Sequence, residues 1–411
     1  MKTRMSNRRS SPRFRILPVI VAMAAAGLAQ PVLAVDRTYV GGIGNWDVAE
    51  DWSPAGVPGS SDKVIINDSL GPTLSFDTTI QSLDFRTGVL RGVGTLSITG
   101  PSTWRDGEFR GEGTTRFLGD LSIIGSPSKE ISERVVSVND TTWGNNTAPN
   151  SNVIFLQGGG TIGNNGTWSD INAFDSSIAR PTFSSGGSFH NLGTYNKQGN
   201  AVTTIGNGVS YQNTGTTNVD AGTIRIANSF ENRGVIAVDT GATFQVSGDD
   251  DTTFSNAEAG TIQGGGTVIT PTLLTNSGVI NPGDADAVGH LTIDGDLHQA
   301  ESGALNFGLA SVSNFDQLTV TDDVAWGGEL IVSNMGYTPV AGDSFVIATF
   351  DERLTNSQFS SVTMDGFGPG AFNVTYGDHN VILSAVPEPE SWAMLLAGLG
   401  LMGALTRRRR A

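Results

Sequence analysis

The chain has 411 residues, of which 54 are Gly and none is Cys, and only 16% are charged. Without cysteine there are no disulfides, thiolate metal sites, iron–sulfur clusters or cysteine nucleophiles, so a fold of this length must rest on burial and backbone ladders. The formal net charge is −16, but ten bases and two acids lie in the terminal segments; over residues 35–386, 14 bases face 38 acids, a net of −24, which repels nucleic acid phosphates and excludes DNA binding.

The N-terminus carries Lys2, Arg4, Arg8, Arg9, Arg13 and Arg15, then the apolar run Ile16 to Leu28, then Pro31 ahead of Val32-Leu33-Ala34. A basic stretch, an apolar run too short to span a bilayer and small residues at the cut predict a secretory signal peptide over residues 1–34. Signal peptidase would cut after Ala34, making Val35 the mature start. The Arg8-Arg9 pair lacks the residues that follow a twin-arginine signal, which points to general secretion of an unfolded chain.

Residues 35–288 read as one β-solenoid. Ser, Thr, Asn, Asp and Gly separate short apolar runs, the composition of many strands joined by tight turns. An apolar-x-Asn-x-Gly pattern recurs around Asn164, Asn191, Asn213, Asn232 and Asn276, with a looser copy around Asn256 that holds two extra residues. Its copies advance by 27, 22, 19, 24 and 20 residues, close to one coil of a right-handed parallel β-helix. In that reading the apolar side chain stacks on its equivalent one coil away, Asn bonds backbone at a corner, and Gly takes a positive φ. Strand-like runs at Val64 to Ile66, Leu96 to Ile98 and Leu121 to Ile124 start the coil near residue 60. An ordinary β-sandwich would place turns at similar intervals. Upstream, Gly44-Asn-Trp46, Trp52, Pro58, Asp62 and Val64-Ile65-Ile66 resemble the first rung of many secreted β-helix proteins. Trp46 and Trp52 suit either sugar stacking or closure of an open solenoid end, and closure is the expected role.

From residue 289 to 385 the sequence changes style, with Leu291 to Leu297, Phe315 to Val320, Gly328 to Val332, Ala341 to Ile347, Phe372 to Tyr376 and Val381 to Ser384. This resembles the closing segment of autotransporter-type passenger domains and implies a β-rich C-terminal cap on a pectin-lyase-like β-helix. Too few residues follow Ser384 for the membrane barrel of those proteins.

The last segment, 386–411, holds Pro387-Glu388-Pro389, an apolar run over 392–405 and the cluster Arg407, Arg408, Arg409 and Arg410. Fourteen helical residues rise about 21 Å, short of a roughly 30 Å hydrocarbon core, so the predicted transmembrane helix is marginal. The arginines stop transfer and fix that end in the cytoplasm, while the two prolines keep the tripeptide extended outside. A permanent single-pass anchor would have the same parts. The tripeptide, helix and basic cluster, in that order, resemble the PEP-CTERM sorting signal. That resemblance implies processing by an exosortase, a membrane cysteine transpeptidase-like enzyme, a transient stay in the inner membrane, and passage to the surface of a Gram-negative bacterium that makes exopolysaccharide.

Several enzymes of polysaccharide breakdown share the parallel β-helix, so chemistry must be sought in residues and not in fold. Such an enzyme needs carboxylates from adjacent coils, or carboxylates with calcium and a basic residue. The dense acidic groups are Asp249-Asp250-Asp251, Asp284 with Asp286, and Asp294 with Asp296, each in a Gly-flanked stretch that reads as a solvated turn. His190, His290, His298 and His379 show no metal spacing. The sequence therefore assigns no catalytic residue, cofactor or metal. It predicts an all-β, non-enzymatic surface protein with short helices at its two ends, tied to exopolysaccharide, biofilm matrix or adhesion.

Overall fold

A computed structural model describes residues 34–386, apart from 126, 127, 145–147, 149–151 and 285, together with 397–399 and 402. Each coil has three short strands in which alternate residues point inward, as the period of two requires. In one coil these are Thr194–Lys197, Val202–Ile205 and Val209–Asn213; in the next they are Thr216–Val219, Thr223–Ile226 and Phe230–Asn232. Equivalent strands pair in parallel, Thr194 with Thr216, Val202 with Thr223 and Asn213 with Asn232. Repetition of this step builds a parallel β-solenoid of about 12 coils with three ladders, here called its first, second and third faces.

The first rung lies earlier than the sequence suggested. Asp36–Tyr39 pairs in parallel with Lys63–Asn67, so the ladder begins at residue 36 and not near 60. The apolar alternation was hard to see there because the strand has a single inward aromatic, Tyr39. Trp52 folds back opposite Tyr39, its Nε1 donates to the Trp46 carbonyl at 2.9 Å, and the two indoles meet edge to face at 4.9 Å. Both are buried, which makes them the end cap and leaves no ring free for a sugar.

The change of style at residue 289 is not a change of architecture. His290–Gln299, Ala304–Ser311 and Glu329–Asn334 each continue the parallel ladders. The antiparallel closure comes later, where Asn380–Ala385 lies between Ser344–Thr349 and Phe372–Tyr376. Tyr337, Phe345, Phe367 and Phe372 pack edge to face over this end.

Polar groups inside the coils are met by backbone and by one another. Arg134 donates to the carbonyls of Gly92 and Gly94 and to Thr115 Oγ1 at 2.7, 2.8 and 2.9 Å, tying three coils together. Burial pushes its guanidinium down to about 10. In an interior this dense, a charge is tolerated only when its donors are met.

Candidate functional site

The repeated asparagines end the third-face strands and form one continuous ladder. Asn164 Nδ2 donates to Asn191 Oδ1 at 2.8 Å, and the chain runs on through Asn213, Asn232, Asn256 and Asn276 at 2.8, 2.9, 2.8 and 2.7 Å. Each Nδ2 also reaches a carbonyl of the following coil, such as Thr194, Thr216 and Val235. The expected Asn-to-backbone bond is thus present, with a side-chain amide ladder added to it. Gln299 closes the series, accepting from Asn276 at 2.8 Å. Its segment, Leu297-His-Gln299-Ala-Glu-Ser-Gly303, matches Phe254-Ser-Asn256-Ala-Glu-Ala-Gly260, a signal missed by looking for Asn alone. Asn164 Oδ1 and Gln299 Nε2, the two ends, have no partner among the described residues. Two residues before each Asn the side chains meet their equivalents one coil away as expected: Phe189 edge to face with Tyr211 at 5.6 Å, Tyr211 stacked on Phe230 at 5.6 Å, and Phe230 tilted against Phe254 at 5.7 Å. Amide ladders with stacked rings are a known device for holding strands in register.

The glycines of the motif depart from expectation. Gly193, Gly215, Gly234 and Gly278 do not adopt positive φ. They are required because coils touch there: a Cβ on Gly193, Gly215 or Gly234 would lie 2.2, 2.0 or 2.1 Å from the carbonyl oxygen of the glycine one coil below.

A second buried network was missed altogether. Asp170, fully buried, accepts from Tyr195 Oη and Asn172 Nδ2 at 2.9 Å and from Thr203 Oγ1, while Asn152 donates to Asn172 at 2.9 Å. Lys197 lies opposite Asp170 in register, and its ammonium bonds the Gly199 carbonyl. Strand alternation makes these positions inward, so the signal was present. All six side chains are enclosed, which makes the network a structural one.

The acidic groups read from the sequence stay apart. Asp249 accepts from Thr252; Asp284 Oδ1 caps the N–H groups of Asp286 and Ala287 at 2.8 and 2.7 Å; Asp294 accepts from Thr321 and Asp296 from the Asp323 N–H. They brace turns. Asp296 and His298 also line an open groove of about 440 Å³ with Asp323, Glu352, Arg353 and Leu354. Among the described residues no three His, Asp or Glu side chains gather as a metal-binding set.

The carboxylates brought together by the fold are different ones. On the outer side of the second face Glu108 pairs in register with Glu130, and Arg110 forks both oxygens of Glu108 at 2.7 Å. Burial, then the Glu108 charge, raises the Glu130 carboxyl, against the pull of Arg110 and of a hydrogen bond from Gln157. The sequence signal was Gly107-Glu-Phe-Arg110 one coil before Lys129-Glu-Ile-Ser132, legible only once the coil length is known. Outward positions elsewhere are mostly hydroxyl and amide. Thr223, Thr243, Thr267, Thr292, Thr319 and Thr349 form one in-register column on the second face, spanning about 24 Å at strand spacing. Asn196 and Asn218 form an amide pair at 2.8 Å on the first.

At the ends, Ala34 is described and exposed. Pro387, Glu388, Pro389 and Arg407 to Arg410 lie outside the described residues. So do the predicted N-terminal helix and most of 392–405, of which 397–399 and 402 are helical and exposed. No helix among the described residues is long and apolar enough to cross a membrane.

Residues 385–410 match the PEP-CTERM protein-sorting motif. The motif marks a secreted protein sorted to the cell surface and implies processing by an exosortase-type enzyme. No curated protein sequence matches the chain. Among solved structures, the crystal structure of the Haemophilus influenzae Hap adhesin is similar at 13% identity and a TM-score of 0.31, over 85% of this chain and 49% of that one. The chain therefore spans about half the length of that structure.

Proposed function

We propose that this chain is a non-enzymatic solenoid that associates with exopolysaccharide at the outer surface of a Gram-negative bacterium, as a matrix or adhesive component. It would reach that surface after signal peptidase removes residues 1–34 and after a transient stay in the inner membrane. One observation carries the reading: a surface-sorting motif directly follows a long solenoid whose outward positions, like the threonine column, offer hydroxyls and amides and few charges. Such groups exchange hydrogen bonds with sugar hydroxyls at little desolvation cost, whereas the net acidity of the body disfavours anionic lipid. The test is deletion of the gene, scored by how much exopolysaccharide stays with washed cells, together with cosedimentation of the purified chain and the isolated polymer. Unchanged retention and no cosedimentation would reject the role.

A polysaccharide-active enzyme is the second reading, favoured by the Glu108 and Glu130 pair. Both oxygens of Glu108, itself largely buried, are committed to Arg110, an arrangement that suits a structural ion pair better than a base. Glycan cleavage abolished by Glu130→Gln would reverse that preference.

A further inference from the structure

Asp62 stands at the start of the solenoid, 4% exposed, and is met from three directions. Its Oδ2 accepts from Arg37 Nε and the Gly59 N–H, both at 2.9 Å, and its Oδ1 accepts from the Val35 backbone nitrogen at 3.1 Å. The Val35 carbonyl accepts from the Lys63 N–H at 3.1 Å, so Val35 is held at both its backbone nitrogen and its carbonyl. Although burial alone would raise it, the Gly59 N–H, Arg37 and Val35 hold the Asp62 carboxyl below its ordinary value. Val35 is also the residue at which the predicted signal cleavage would start the mature chain.

We propose that this cleavage turns the Val35 nitrogen into an α-ammonium that forms an ion pair with Asp62, so that export processing itself locks the first rung. The inference rests on the cleavage reading above. Hydrolysis of the Ala34–Val35 bond consumes one water, leaves the carboxylate on Ala34 with the departing peptide, and gives Val35 an amine that takes up a proton at neutral pH. An amide contributes one donor and a partial charge. The ammonium contributes three donors and a full charge at the same atom, beside a carboxylate nearly closed to water, where charge-assisted bonds are strongest. The uncleaved chain makes the same contact through an amide, so the first rung is held less tightly before cleavage than after it.

The exported chain is purified and its N-terminus sequenced; Val35 is the expected start. Its α-amine is then acetylated selectively at about pH 6.5, where lysines stay protonated, and hydrogen exchange is followed with and without acetylation. Protection should fall about tenfold or more in Asp36–Tyr39 and Lys63–Asn67 and stay unchanged in Thr216–Val219. In Asp62→Asn acetylation should make no further difference. The same comparison on residues 35–411, freed from an N-terminal fusion, judges the ion pair apart from the cleavage. A native start elsewhere than Val35 overturns the role of processing, and equal protection with and without the acetyl group overturns the ion pair.

Discussion

Replacement of Asn213 by Val removes the middle of the amide ladder without a change of shape that the fold cannot take, since Val138 occupies the equivalent place beside Asn164 one coil earlier. Four hydrogen bonds go: from Asn191, to Asn232, to the Val235 carbonyl, and from Thr217 Oγ1 at 3.1 Å. At about 1 kcal/mol net each, with buried amides on both sides left short of a partner, the loss is about 3–5 kcal/mol. Asn164→Val at the ladder's end removes only the bonds to Asn191 and to the Thr194 carbonyl, about 1–2 kcal/mol on the same basis. Urea denaturation followed by far-UV circular dichroism measures both. The triple variant of Asn164, Asn191 and Asn213 to Val should cost less than the sum of its parts, because apolar groups then face one another and fewer amides are stranded. Equal costs for the central and terminal variants, or a central variant within about 0.5 kcal/mol of wild type, would refute the idea that the ladder works as a connected unit.

Gly215→Ala should destabilise by about 2–4 kcal/mol through overpacking, since its Cβ would meet a backbone oxygen at 2.0 Å; Gly163→Ala, with nothing within 4 Å, should be close to neutral in the same thermal melts. Asp316 is fully buried, accepting from the Gly289 and Gly308 N–H groups at 2.7 Å, and burial pushes its carboxyl from 3.8 up to about 7. A raised carboxyl favours the folded state when protonated, so that contribution is complete below about pH 4 and is lost as pH rises through about 7, amounting to a few kcal/mol at most. Stability measured at pH 5 and pH 8 should differ by less in Asp316→Asn than in wild type; an unchanged difference would dismiss the carboxyl as its source.

The coil was legible in the sequence because one motif repeats where the chain turns the same corner, and a corner tolerates few residue types. What the motif does was less legible. Asn213 could be read as a turn residue bonding backbone, but a partner 19 residues on is visible only when the coils are stacked. Gly215 was expected to supply an unusual φ, whereas the constraint comes from the neighbouring coil, a distance no local pattern encodes. The first strand escaped notice because four residues with one inward aromatic give no periodicity. Asp170 and Lys197 lie at inward positions of clearly alternating strands, and were passed over because charged residues are seldom buried unless paired. Glu108 and Glu130 are 22 residues apart, adjacent only through the coil. The sorting motif was legible because its parts follow one another within residues 385–410, so their order can be read directly along the chain.

Surface sorting depends on the tail, and its most direct test is the fate of a chain in which Pro387, Glu388 and Pro389 are all changed to Ala. An epitope placed in the exposed loop at Gly368 to Gly370, where no packed atom lies within 4 Å of an added Cβ, reports location without disturbing the last strand. Fractionation should find the altered chain at full post-signal mass in the inner membrane, folded and protease-resistant, while the unaltered chain is shorter and at the surface. An altered chain that reaches the surface with the same truncated mass would contradict processing at the tripeptide and reduce the tail to an ordinary anchor.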